Sequence, residues 1–282
     1  MVGSLGMTAF AEDTSANEPI DTTVSNYNLT EEETSGKNQE EIKALQQQKI
    51  DEVTQQAYDM KIASNELENW PEGPATYGEA GIVMESKSGA ILYAKNIDGK
   101  AYPASITKIM TLLLTFEALE KGKAKLTDEV PVSEYASSMG GSQVYLKEGE
   151  QMSVSELLKC ITVVSGNDAA VAMAEYLSGS EAAFVAEMNL RARELGMADT
   201  NFVNCTGLPA QGHLTSAHDI ALMSRELILN HPSIREYTTI WMDSIRDGAF
   251  GLTNTNRLVR FYQGATGLKT GSTDSALYCV SA

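Results

Sequence analysis

Residues 102–111 read YPASITKIMT and run directly into LLLTFEAL at 112–119. Ser105 and Lys108 stand three apart at the head of this apolar run. Residues three apart on a helix are neighbours on its surface, so the two side chains meet near a helix N-terminus. One reading is structural: Ser105 caps the helix and Lys108 snorkels its amine to solvent. The other is chemical: Ser105 is a nucleophile and Lys108 its base. The pair alone does not separate the two, and the rest of the chain has to.

The 282 residues suffice for one large domain or two small ones, and 43% hydrophobic residues allow a sizeable core. A net charge of −17 argues against a nucleic-acid binder, which would show a basic face. Much of that charge is local: residues 12–66 carry 13 acidic and 4 basic side chains. No stretch is long and apolar enough to span a bilayer. The opening MVGSLGMTAFA, residues 1–11, ends in Ala9-Phe10-Ala11 before Glu12 and Asp13. It reads as the back half of a secretory signal peptide without its basic start.

Cys160, Cys205 and Cys279 form no CxxC pair and no zinc spacing. They read as buried thiols acting as small hydrophobes. His213, His218 and His231 form no ligand cluster, so neither a metal nor another cofactor is expected.

Three regions follow along the chain: the signal remnant, an acidic linker or spacer over 12–68 with a possible helix at 39–64, and a domain over 69–282. In the domain, AGIVMES and AILYAKN are β-like runs around Lys87-Ser88-Gly89, a hairpin signal. Residues 126–152 are loop-rich with short strands. Ser153 and Glu156 form a capping box before LLKCITVVS. Asn167, Ser180 and Ser216 stand where they can open three further helices, and GATGLKTGSTDS and ALYCVSA read as two closing strands. Strands, a block of helices, then strands imply an α+β domain, an antiparallel sheet flanked by a helical cluster.

Two more short strings join the opening pair: Ser165-Gly166-Asn167 at a junction of two helices, and Lys269-Thr270-Gly271 on a strand. S-x-x-K, S-x-N and K-T-G in this order resemble the penicillin-recognising serine enzymes. YPASITKIMT, LLKCITVVSGNDAAVAMAE and GATGLKTGSTDSA are similar to the serine-type D-alanyl-D-alanine carboxypeptidases among the low-molecular-mass penicillin-binding proteins. The resemblance covers about residues 70–282. It implies a β-lactamase/transpeptidase-like domain in which Ser105, Lys108 and Ser165 are catalytic. Asn167, Lys269, Thr270, Gly271 and Ser272 would bind substrate. A serine needs a base, and lysine becomes one when burial and a nearby cation lower its pKa. By resemblance Lys269 is that cation, and the oxyanion is held by the backbone N–H groups of Ser105 and Ser272.

The implied reaction removes the terminal D-Ala from a peptidoglycan stem pentapeptide through a Ser105 acyl-enzyme, with β-lactams as inhibitors. The implied setting is extracytoplasmic, on the wall side of a bacterial membrane, in wall biogenesis and cell shape. Two alternatives remain. A class A-like β-lactamase would use a glutamate in an E-x-x-L-N string. Glu226-Leu-Ile-Leu-Asn230 has that form but lies in a helical pattern. A non-catalytic penicillin- or wall-binding protein would keep the fold. Members of the family normally continue past the strand that reaches Ala282, so the sheet is expected to lack its last strand and helix.

Overall fold

The computed structural model describes residues 2–3, 29–60, 62 and 73–282. Of the signal-peptide reading, residues 1 and 4–11 lie outside the described residues, as do residues 12–28 of the spacer and residues 69–72 of the expected domain start. In chain order the elements are β1 (Val2–Gly3), α1 (Glu31–Thr34), α2 (Gln39–Asp59), β2 (Gly81–Met84) and β3 (Ile91–Lys95). A 3₁₀ turn, Ala104–Thr107, leads into α3 (Lys108–Glu120). Then come β4 (Glu129–Pro131), α4 (Glu134–Ser137), β5 (Gln151–Ser153), α5 (Val154–Val163), α6 (Asn167–Ser178), α7 (Glu181–Glu194) and α8 (Ala217–Asn230). The chain closes with α9 (Arg235–Thr238), β6 (Met242–Ile245), β7 (Phe250–Thr253), α10 (Leu258–Phe261), β8 (Lys269–Thr273) and β9 (Leu277–Ser281).

The main sheet is antiparallel in the order β3-β2-β1-β9-β8. The hairpin read at Lys87-Ser88-Gly89 is β2–β3, with Val83 opposite Tyr93. Its turn is closed by the Glu85 carboxylate, which accepts from the backbone of Lys87 and Ser88 and from the Ser88 hydroxyl. Those bonds hold the Glu85 pKa down at about 2. Ile82 and Met84 are buried on one face of β2, the period-2 pattern of a half-buried strand. α8 lies against that sheet, touching β1, β2 and β9.

α3 is the hub of the helical cluster, in contact with α5, α6, α7 and α8. Its Ile109, Met110, Leu112, Leu113 and Phe116 are all buried. A helix apolar on every side belongs in a core rather than at a surface. The architecture is α+β, as the order of elements implies.

Three local expectations need correction. The helix read at 39–64 is α2, which runs Gln39–Asp59; residues 61, 63 and 64 of that reading lie outside the described residues. Ser105 does not cap α3; it lies in the 3₁₀ turn, and α3 starts without a side-chain cap. Asn167 is not a cap either: it is the first residue of α6, and its side chain is engaged elsewhere. By contrast, the hydroxyls of Ser153, Ser180 and Ser216 each accept from a backbone N–H three residues on, opening α5, α7 and α8.

Candidate active site

The site forms where the 3₁₀ turn, the α5–α6 junction, the loop at 203–207 and β8 converge on the head of α3. Pro103 fixes the approach, and Ala104 adopts φ +46°, outside the range most non-glycine residues occupy. The chain then turns so that Ser105 is half-buried and Lys108, the first residue of α3, is fully buried.

Lys108 Nζ has three oxygen partners: Ser105 Oγ at 3.1 Å, Asn167 Oδ1 at 2.6 Å and the Thr206 carbonyl at 2.7 Å. Burial pushes the Lys108 pKa down to about 7, against the upward pull of nearby groups including the Asp168 carboxylate. Cys205 also lies close, but burial drives its thiol well above the ordinary range, so it carries no charge near neutral pH. A neutral amine has two N–H groups and one lone pair. Asn167 Oδ1 and the Thr206 carbonyl take the two N–H groups, and the lone pair is left facing Ser105. That is the arrangement of a general base beside its nucleophile.

Asn167 is oriented by its other end: Nδ2 donates to the Gly140 carbonyl at 2.7 Å, so Oδ1 must face Lys108. Its backbone N–H donates to the Ser142 carbonyl. The next residue, Asp168, holds the same loop from below. Its buried carboxylate accepts from the N–H groups of Val144 and Leu146 at 3.0 Å each. Gly141 sits at φ +76°, and a Cβ there would lie 2.8 Å from Asn167 Nδ2.

Ser165 lies between α5 and α6 at φ +65°, and its Oγ is buried with no hydrogen-bond partner among the described residues.

β8 forms the opposite wall. Lys269 is buried, its Nζ donates to the Thr270 carbonyl at 2.7 Å, and its pKa is driven well down by burial and then by the charge of Lys108. Two amines this near cannot both hold a proton easily. For Lys108 itself, burial is the cause that lowers the pKa, and Lys269 is not among the groups that shift it, contrary to the expectation that a neighbouring cation shares in the effect. The Thr270 hydroxyl shares a hydrogen bond with the Thr255 hydroxyl at 2.7 Å. Gly271 is where strand and turn touch: a Cβ would fall 2.8 Å from Ser105 N and 3.0 Å from Ile106 N. Ser272, next along β8, is exposed.

All eight residues singled out from the sequence therefore lie on the segments that meet around Lys108. Thr206, Asp168 and Thr255 are missed by the sequence reading. Asp168 follows the S-x-N string directly and could have been suspected; Thr206 and Thr255 lie in loops without periodic pattern. Glu226 is elsewhere: it pairs with Arg191 at 2.6 Å and accepts from Asn230.

The family described as D-alanyl-D-alanine carboxypeptidase, Peptidase_S11, matches residues 67–282. The chain is 51% identical over 207 residues to D-alanyl-D-alanine carboxypeptidase DacF of Bacillus subtilis, covering 72% of this chain and 53% of that protein. To DacC of Escherichia coli it is 38% identical over 217 residues, covering 73% and 53%. It thus spans about half the length of the curated relatives it matches. Penicillin binding protein 6B from Escherichia coli superposes with a TM-score of 0.70 at 32% identity, covering 76% of this chain and 69% of that one. Penicillin-binding protein D2 from Listeria monocytogenes, solved in an ampicillin-bound form, gives 0.64 at 33% identity, covering 71% and 81%. The chain belongs to the D-alanyl-D-alanine carboxypeptidase family Peptidase_S11.

Proposed function

We propose that this chain carries the catalytic centre of a penicillin-sensitive serine D-alanyl-D-alanine carboxypeptidase, acting on peptidoglycan stem pentapeptides outside the cytoplasm. The observation that carries the reading is the buried Lys108 amine, aimed at Ser105 Oγ by two fixed acceptors. The family and its β-lactam-bound members support it.

Ser105 passes its proton to neutral Lys108 as Oγ bonds to the carbonyl carbon of the penultimate D-Ala. The negative oxygen that forms faces the N–H groups of Ser105 and Ser272; one such donor contributes about 3–4 kcal/mol to the transition state. The C–N bond then breaks, and the amine of the departing D-Ala takes a proton relayed from Lys108 through the unpartnered Ser165 hydroxyl. Lys269 and the Thr270 hydroxyl hold the terminal carboxylate. An incoming carboxylate would favour a protonated Lys269, and the charge so fixed helps to keep Lys108 neutral. Water attacks the ester, its proton passes to Lys108, and Ser105 is restored. A β-lactam would open on the same serine and leave slowly.

The test is acylation by a fluorescent penicillin, read by intact mass on the wild type and on Ser105→Ala, followed by assay of D-Ala release. The expected result is a one-to-one adduct that disappears in the variant, with D-Ala released only by the wild type. A folded wild-type protein that takes up no label would overturn the reading.

A further inference from the structure

Lys108 works as a base only if its lone pair points at Ser105, and the Thr206 carbonyl fixes one of its N–H groups. What fixes Thr206? Residues 203–207 belong to no helix or strand and lie about a hundred residues from Lys108 in the chain. The loop is secured in two stages. Asn204 Oδ1 accepts from the backbone N–H of Thr206 at 3.1 Å and of Gly207 at 2.7 Å. Gly207, at φ +87°, then presses against the nucleophile turn so closely that a Cβ would overlap the Ala104 carbonyl group.

The start of the loop is held by His213, which is 1% exposed. Its Nδ1 faces the N–H of Val203 at 3.0 Å and that of Asn204 at 3.4 Å. Two backbone donors on Nδ1 require it to be an acceptor, so the ring proton sits on Nε2. Nε2 meets Thr107 Oγ1 at 2.9 Å, and Thr107 immediately precedes Lys108. One imidazole therefore ties together the loop that supplies an acceptor for the amine and the turn that carries the amine.

We propose that His213 is a positioning residue for the acyl-transfer reaction: by joining Thr107 to the 203–207 loop it holds the Thr206 carbonyl where it aims the Lys108 lone pair at Ser105. The inference rests on Lys108 being the base. The ring can do this only when neutral, since a proton on Nδ1 would face the Val203 N–H. Burial holds the His213 pKa down at about 4, with Glu181 as the opposing charge. Glu181 is itself engaged, by the Cys205 N–H and the Tyr135 hydroxyl. Around Lys108 the charged and titratable groups are Asp168, Lys269 and Cys205.

The effect has a sign. A protonated Lys108 donates to all three of its oxygens. Releasing the Thr206 carbonyl removes one acceptor from the cation, which favours the neutral amine and lowers the Lys108 pKa. The same release frees the amine to turn, which slows the reaction. Loss of His213 should therefore move the pH midpoint of acylation down while lowering the plateau.

The experiment measures the acylation rate constant of a fluorescent penicillin from about pH 5 to pH 10. It uses the full chain with wild type, His213→Leu, His213→Asn and Asn204→Ala, and a melt on each. His213→Leu removes both hydrogen bonds and is expected to cut the plateau about tenfold, within the range that misplacing a reacting group produces. Its midpoint should fall by about half a pH unit or more. His213→Asn keeps an acceptor close to the Nδ1 position and should restore the midpoint. Asn204→Ala loosens the same loop from a half-buried site and should shift the midpoint in the same direction, which keeps the test decisive if His213→Leu does not fold. A lower melting temperature with the wild-type midpoint in both His213→Leu and Asn204→Ala would reduce His213 to a structural residue and overturn the inference. A wild type that is not acylated at all would instead sink the functional reading on which it rests.

Discussion

The base role proposed for Lys108 depends on the fold making its charge costly. An exposed lysine titrates near 10.4 and is no base at neutral pH. Complete burial brings this one to about 7, where half the molecules carry a free lone pair. Arginine cannot lose its proton under these conditions. Lys108→Arg should therefore leave a Ser105 with no base beside it. The penicillin acylation rate should fall by about a thousandfold, the usual scale of a lost general base. In the wild type the same rate should rise with pH through about 7, because the neutral amine is the active form and burial sets that midpoint. Both are read from acylation time courses. A flat wild-type profile across neutrality, or an arginine variant that acylates normally, would show that another group takes the serine proton. The S-x-x-K pair was legible in the sequence because both members lie on one short segment. Asn167, 59 residues away, was legible through its own S-x-N string, whereas Thr206 reaches the amine with a backbone carbonyl from a loop 98 residues away and left no signal.

At the scale of elements, the site depends on how closely β8 approaches the 3₁₀ turn. Gly271 sets that distance, because any Cβ there would overlap backbone atoms that cannot move aside as a flexible side chain would. Gly271→Ala should push the strand away from Ser105 N and spread apart the groups proposed to hold the oxyanion and the substrate carboxylate. The expected outcome is an acylation rate lower by about one to two orders of magnitude, since a displacement near one ångström has effects of that size. The loss of melting temperature should be modest, because β8 keeps its ladder to β9. Acylation at the wild-type rate would mean that the strand is free to move without affecting the chemistry. The elements themselves were partly legible. Ser153, Ser180 and Ser216 announce three helices through local hydrogen bonds that sequence spacing encodes directly. Asn167 misled the cap reading for a physical reason: the glycine before it adopts the capping position, which frees the amide for Lys108 and Gly140. The β6–β7 hairpin was not anticipated, although Asp247-Gly248 is a turn signal, because its strands are short and partly polar.

For the whole molecule, the same buried amine sets function against stability. Below pH 7 Lys108 is protonated in both the folded and the unfolded chain, and the fold bears the full cost of burying a cation. Between about 7 and 10.5 the unfolded chain holds the proton and the folded chain does not. Stability rises with pH wherever the unfolded state binds more protons, so this group makes the fold progressively more stable across that window. Above the upper limit it is neutral in both states and the penalty is gone. Lys108→Met keeps the length of the side chain and removes the titration. It also leaves Asn167 Oδ1 and the Thr206 carbonyl without the amine, a cost that does not depend on pH. The difference in unfolding free energy between Lys108→Met and wild type should therefore change in one direction only, with the variant losing ground steadily from pH 7 to 10.5. The swing should reach several kcal/mol, since each tenfold difference in proton affinity between the folded and unfolded chains is worth about 1.4 kcal/mol. Urea titrations at a series of pH values measure it. A difference that stays constant over the window would mean that Lys108 is protonated to the same degree in both states, and with that the fold would no longer account for a neutral base beside Ser105.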